Sequence, residues 1–158
     1  LGIDPGSRNL GLALLDKVGK VLRVWSVRTS SGDWKEAFWS VIREIDPAYF
    51  NQDDPAETYD RVVIENVGWY GARKGMYDLN KLVGALWAYF SYQGKTVILV
   101  MPNEKIKLNS KNKRNTNNEH ERDAIALALS GIKKKWSKNK KKKERSVTTQ
   151  FPRNSRRK

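Results

Sequence analysis

Three carboxylates in this chain stand where an apolar core has no use for them. Asp4 closes the run Leu1-Gly2-Ile3, Glu65 closes Val62-Val63-Ile64, and Asp123 follows His120 by three residues in Glu119-His120-Glu121-Arg122-Asp123-Ala124-Ile125-Ala126-Leu127. A spacing of three puts His120 and Asp123 on one face of a helix. Like charges gathered in one pocket repel and raise each other's pKa, so such a set is tolerable only around a cation. Oxygen donors in a chain with no cysteine suit a hard ion, Mg²⁺ or Mn²⁺. Two such ions roughly 4 Å apart can clamp the attacking and leaving oxygens of a phosphodiester. His120 could be a metal ligand, a contact to the scissile phosphate or a proton carrier, since its unperturbed pKa lies near neutrality. Each residue alone has a plainer reading: Asp before Pro-Gly is a turn former, Glu at a strand end is commonly solvated, and a lone helical His is commonly a surface residue. Taken together and in this order, coincidence is the weaker explanation.

The elements that must position these residues read as an α/β alternation. Leu1 to Asp4, Leu10 to Asp16 and Val21 to Val27 have the composition of strands, the last two joined by a tight turn at Lys17-Val18-Gly19-Lys20. Asp33, after Gly32, is placed to cap a helix running to Glu44, with Trp34, Phe38, Trp39 and Ile42 at helical spacing and expected in the core. Residues 46–60, with two prolines and Asp53-Asp54, form a surface connection to a strand at Arg61 to Glu65. Leu79, Leu82, Val83, Leu86 and Phe90 make the broad apolar stripe of a further helix, followed by a strand at Thr96 to Val100.

With these residues in hand, the chain resembles the RuvC-like Holliday junction resolvases of the RNase H-like superfamily. The resemblance spans roughly residues 1 to 132. It rests on Gly2-Ile3-Asp4-Pro5-Gly6 with Leu10-Gly11, on Val63-Ile64-Glu65, on Gly84-Ala85-Leu86 within the helix from Leu79 to Phe90, and on His120-x-x-Asp123-Ala124. It implies an RNase H-like fold, a mixed five-stranded sheet flanked by helices. It also implies metal-binding carboxylates at Asp4, Glu65 and Asp123, His120 in the fourth position, and symmetric cuts in a four-way DNA junction that leave a 5′ phosphate and a 3′ hydroxyl. A homodimer is implied as well, because a two-fold junction needs two symmetric cuts and a C₂ dimer supplies them. Trp87 and Tyr92, flanking the Leu79 to Phe90 stripe, are candidates for that contact. The segment from Pro102 to Asn118 is shorter than in the bacterial pattern, polar and rich in Lys and Asn, so the chain looks like a compact phage-type or divergent member. It begins at Leu1 and not Met, and the first strand is expected to be clipped at that end with nothing catalytic lost.

Composition agrees and adds a partner. A length of 158 residues with 39% hydrophobic content and six Trp suffices for one domain with its own core, expected over residues 1–132. Without cysteine there is no disulfide framework and no zinc-thiolate site, and no small-molecule cofactor is suggested. The longest apolar runs fall far short of the roughly 20 residues that cross a bilayer, and no signal peptide is visible. A cytoplasmic setting is expected, in a bacterium or a phage-infected host. The net charge of +14 is uneven: residues 133–158 hold 13 Lys/Arg and one Glu, whereas residues 1–132 hold 18 Lys/Arg and 16 Asp/Glu. That basic tail, expected to be disordered, would bind phosphates without reading bases. A solubility or anionic-membrane tail is the competing use, and the nuclease-like core favours nucleic acid.

After Glu65 comes a Gly-rich stretch, Asn66 to Gly75, with two aromatics and two cations. Trp69 and Tyr70 could stack on an unpaired base at a branch point while Arg73 and Lys74 hold phosphates. Alternatively, Trp69 or Tyr70 closes the core beneath the loop. Three functions fit the whole: a junction-resolving endonuclease, an RNase H-like nuclease for other branched DNA, RNA–DNA hybrid or structured RNA, and a basic-tailed binding module without activity. The intact acidic set argues against the third, since a binding protein gains nothing from burying unpaired negative charge near phosphates.

Overall fold

Strand alternation decides which face of the sheet each carboxylate occupies. In the computed structural model, which describes residues 1–6, 8–46, 59–66, 74–108, 116 and 118–132, strands β1 (Gly2–Asp4), β2 (Asn9–Leu15), β3 (Val21–Arg28), β4 (Arg61–Glu65) and β5 (Thr96–Val100) form one sheet in the order β3-β2-β1-β4-β5. The first three strands are antiparallel, whereas β4 runs parallel to both β1 and β5. Helices α1 (Trp34–Ile45) and α2 (Lys74–Tyr92) share the main core with Ile3, Leu10, Leu12, Val62 and Ile64. Because side chains alternate with a period of two, Gly2 and Asp4, Gly11 and Ala13, and Val63 and Glu65 fall on the opposite face. A third helix, α3 (residues 119–132), covers that face with Ala124, Ile125 and Leu127.

The turn between β2 and β3 forms where Asp16 Oδ1 accepts from the backbone N–H of Val18 and of Lys20, at 2.9 and 2.8 Å, with Gly19 at φ +91°. That is the side-chain mimicry of a backbone turn that Asp favours. Asp33 caps α1 by accepting from Lys35 N at 2.9 Å. Losing that cap by Asp33→Ala is expected to cost about 1 kcal/mol in urea denaturation, with no change in the site on the far side of the sheet.

Two details differ from the reading of the sequence. The buried stripe of α1 is Ala37, Val41, Ile42 and Ile45, while Trp39 is 43% exposed and Trp34 and Phe38 only flank the core. Helical spacing admits two adjacent stripes here, and the smaller side chains fit against the sheet. Helix α2 begins at Lys74, five residues before the apolar stripe, so Lys74 is helical and not part of a loop. Its buried residues are Leu82, Val83, Leu86 and Phe90; Trp87 and Tyr92 are exposed. Among the described residues, no helix is long and apolar enough to cross a membrane.

Candidate metal centre

β1 and β4 are parallel neighbours, so their carboxyl ends lie side by side, and each ends in an acid. Asp4 and Glu65 are 6% and 8% exposed, which makes them two of the few buried charged residues among those described. Helix α3 supplies the third acid. One oxygen from each of Asp4, Glu65 and Asp123 lies within 4.8 Å of the others. His120, one helical turn before Asp123, is not part of that donor set: its Nδ1 shares a 2.8 Å hydrogen bond with Asp4 Oδ2.

The position of α3 comes from two glycines and a cap. A Cβ on Gly2 would collide with the carbonyl oxygen of Ala124 and lie 2.8 Å from Ala128 N; one on Gly11, directly across the ladder from Asp4, would collide with the carbonyl of His120. The helix therefore sits closer to β1 and β2 than any side chain on those positions allows. Its first turn is capped by Asn118, whose Oδ1 accepts from Glu121 N at 2.9 Å and whose Nδ2 donates to Ser26 Oγ on β3 at 3.2 Å. At the other end Arg61 donates to the Gly131 carbonyl at 2.9 Å.

In the sequence Lys105 is only the start of the Lys-rich stretch from Lys105 to Arg114, open to a DNA contact; in the fold it completes the cluster. Its Nζ stands 3.1 Å from Glu65 Oε1, 3.2 Å from Glu65 Oε2 and 2.7 Å from Asp123 Oδ2. A lysine in a Lys- and Asn-rich stretch has no local mark of burial. The available signal was topological: β5 pairs in parallel with β4, Glu65 opposite Val100, so whatever follows β5 by a few residues passes beside Glu65. A short 3-10 turn, Pro102–Glu104, makes that passage, and Ile106 N donates to Ser130 Oγ on α3 at 3.1 Å.

The electrostatics follow from this crowding. Burial first, then the hydrogen bond shared with Glu65 and the charges of Glu65 and Asp123, push the Asp4 carboxyl up to about 8, against a smaller downward pull from Lys105. Burial pulls the Lys105 ammonium down, but its hydrogen bonds and ion pairs with Asp123 and Glu65 outweigh that and hold it above its ordinary value. One cation among three acids leaves the cluster short of positive charge, and Asp4 retains a proton as the remedy. The all-oxygen donor set and the uncompensated charge fit a hard divalent ion. Of the proposed nucleic-acid contacts, Trp69, Tyr70 and Arg73 lie outside the described residues, as does the side chain of Lys74.

No protein-family model and no curated protein matches the sequence. The fold is nevertheless defined: a mixed five-stranded sheet with helices on both faces, and it is the fold of solved RuvC structures. The chain is similar to RuvC of Thermus thermophilus, with a TM-score of 0.62 and 20% identity over 86% of this chain and 95% of that one. The same bacterium's RuvC in complex with a Holliday junction substrate superposes with a TM-score of 0.61 and 20% identity, covering 82% and 88% of the two chains. A fowlpox virus resolvase in complex with Holliday junction DNA matches with a TM-score of 0.51 and 15% identity, covering 84% and 97%. The fold implied by the sequence motifs is the fold observed.

Proposed function

We propose that this chain is a metal-dependent endonuclease that resolves four-way DNA junctions by symmetric nicks leaving 5′ phosphate and 3′ hydroxyl ends. One observation carries the reading: an Asp4–Glu65–Asp123 triangle, its first two acids buried at the carboxyl ends of adjacent parallel strands and the third half-buried on a helix held close by glycines, on the fold of the resolvase structures. Two similar structures hold junction DNA, which supports branched DNA as the substrate.

In this reading Asp4, Glu65 and Asp123 hold Mg²⁺ or Mn²⁺, with two ions per site and His120 in the fourth position. When bound, such ions polarise the scissile phosphate and lower the pKa of the attacking water. With a cation in the site the carboxylate form of Asp4 would be favoured, and Asp4 would serve as a ligand without its proton. His120, through Nδ1, fixes the orientation of the Asp4 carboxylate and is placed to carry that proton outward. Trp69, Tyr70, Arg73 and Lys74 belong to the stretch after Glu65 and supply stacking and phosphate contacts, and the basic tail adds salt-dependent affinity. A C₂ dimer through α2, whose Trp87 and Tyr92 are exposed, pairs the two cuts, in the cytoplasm of a bacterium or a phage-infected host.

The test is a nicking assay on an immobile four-way junction, a linear duplex and an RNA–DNA hybrid, each with Mg²⁺ and with EDTA. Paired, metal-dependent cuts restricted to the junction are expected. Preferred cutting of the hybrid by a monomer would transfer the site to a different RNase H-like substrate class. Tight binding without cutting under any metal would mark a binding module.

A further inference from the structure

Lys105 is committed in a way that a substrate-facing lysine is not. Its ammonium has three N–H donors, and three carboxylate oxygens, two from Glu65 and one from Asp123, lie within 3.2 Å of Nζ. The side chain is 17% exposed and that of Glu65 10%, so this pair is largely shielded from solvent, whereas Asp123 is half-buried. The backbone on either side is pinned. Glu104 accepts from Met101 N at 3.2 Å, and Ile106 N donates to Ser130 Oγ, which in turn donates to the Ala126 carbonyl of α3 at 2.8 Å. Only the four-carbon stem is left to move. The ammonium thus occupies the space between two of the three acids that would grip an ion.

We propose that Lys105 is a built-in cation that holds Glu65 and Asp123 in place before metal binds, and that a divalent ion enters the site by displacing its ammonium group into solvent. This rests on the metal-site reading above. Two consequences follow from charge and volume. The acids are gathered in the metal-free protein and do not spread apart, so little rearrangement is needed when the ion arrives. Lys105 also competes with the ion for the same oxygens, so it sets the metal concentration at which the site fills. Swinging out costs Lys105 its ion pairs, and part of that cost is offset because an ammonium leaving a partly buried site regains its hydration.

The experiment uses the full chain and reads Lys105 directly. Wild-type protein is acetylated with limiting acetic anhydride in EDTA and in saturating Mn²⁺, and modification at Lys105 is quantified by peptide mass spectrometry. Lys105 is expected to be protected in EDTA and at least about tenfold more reactive with Mn²⁺, as a group passes from a triple ion pair to solvent. In parallel, Mn²⁺ binding is measured by calorimetry for wild type, Lys105→Met and Lys105→Gln. Both variants are expected to bind about tenfold or more tightly than wild type. Their melting temperatures are expected to fall below wild type in EDTA and to converge with it at saturating Mn²⁺. Unchanged or reduced labelling of Lys105 on metal binding, or variants that bind metal no more tightly, would overturn the proposal while leaving the metal site standing. If wild type and both variants all fail to bind Mn²⁺, the metal-site reading falls, and this inference with it. Should Lys105→Met not fold without metal, Lys105→Gln, which keeps two donors without the charge, and the wild-type labelling still decide the question.

Discussion

Asp4→Asn is expected to abolish metal-dependent cleavage and to make the metal-free protein more stable at pH 8. The two effects have one cause. Asp4 is 6% exposed, hydrogen-bonded to His120, and raised to about 8 chiefly by burial and by its acidic neighbours. A carboxyl whose pKa is higher in the fold than in the unfolded chain binds its proton more tightly when folded. Its contribution to stability is therefore complete below the unfolded value near 4 and is lost as pH rises through about 8. At about 1.4 kcal/mol per pKa unit the loss is at most about 6 kcal/mol. An amide at position 4 has no proton to lose and can still donate to Glu65. In EDTA the variant's melting temperature is expected to exceed wild type by roughly 10 °C at pH 8, and to be no higher than wild type at pH 4. Junction cleavage in Mg²⁺ is expected to fall at least about 10³-fold, since a lost ligand removes several kcal/mol of charge stabilisation from the transition state. Gel-shift affinity for the junction should persist. A variant that cuts at the wild-type rate, or one whose metal-free form melts lower at pH 8, would separate Asp4 from this account.

Gly11→Ala is expected to destabilise the fold by about 3 kcal/mol and to slow cleavage about a hundredfold, although it adds only one methyl group and alters no charge. The added carbon would collide with the His120 carbonyl and lie 3.0 Å from Glu121 N. These are backbone atoms, so no rotamer change relieves the clash, and the first turn of α3 must lift from β2. That turn carries His120, and the next carries Asp123, which has to stay within 4.8 Å of Asp4 and Glu65 to complete the acidic triangle. Gly84 provides the control. It is exposed on α2, and a methyl group added there would meet nothing within 4 Å of the same chain, so Gly84→Ala should stabilise by up to about 1 kcal/mol through helix propensity. Urea denaturation and the junction assay on the two variants separate close approach from propensity. Equal stability of both would mean that α3 does not depend on contact at Gly11.

How much of the site and fold is legible in the chain varies with the range of the interaction. Asp4 and Glu65 can be recognised because each ends an apolar strand, and a charge there contradicts its neighbours. His120 and Asp123 are legible because helical spacing is local. The capping of α3 by Asn118 and Glu121 also has a local pattern, Asn followed three residues later by Glu, but it lies inside a polar stretch that masks it. Trp39 shows the opposite failure: its spacing fits the core as well as Val41 does, and only the shape of the sheet surface beneath α1 chooses between them.

The sequence by itself determined the elements and the chemistry each brings: which strands end in acid, which helix carries His and Asp together, and that a hard cation would suit them. Those properties are encoded in alternation, helical period and residue type, all read within a dozen neighbouring positions. Tertiary structure alone decided that β4 lies beside β1 in parallel, so that two acids 61 positions apart share one sheet end. It also decided that Gly2 and Gly11 face α3 and that Lys105 fills the space between Glu65 and Asp123. Contacts between distant segments depend on strand order and helix approach, and these come from the packing of whole faces, which leaves no mark on the residues immediately around Lys105.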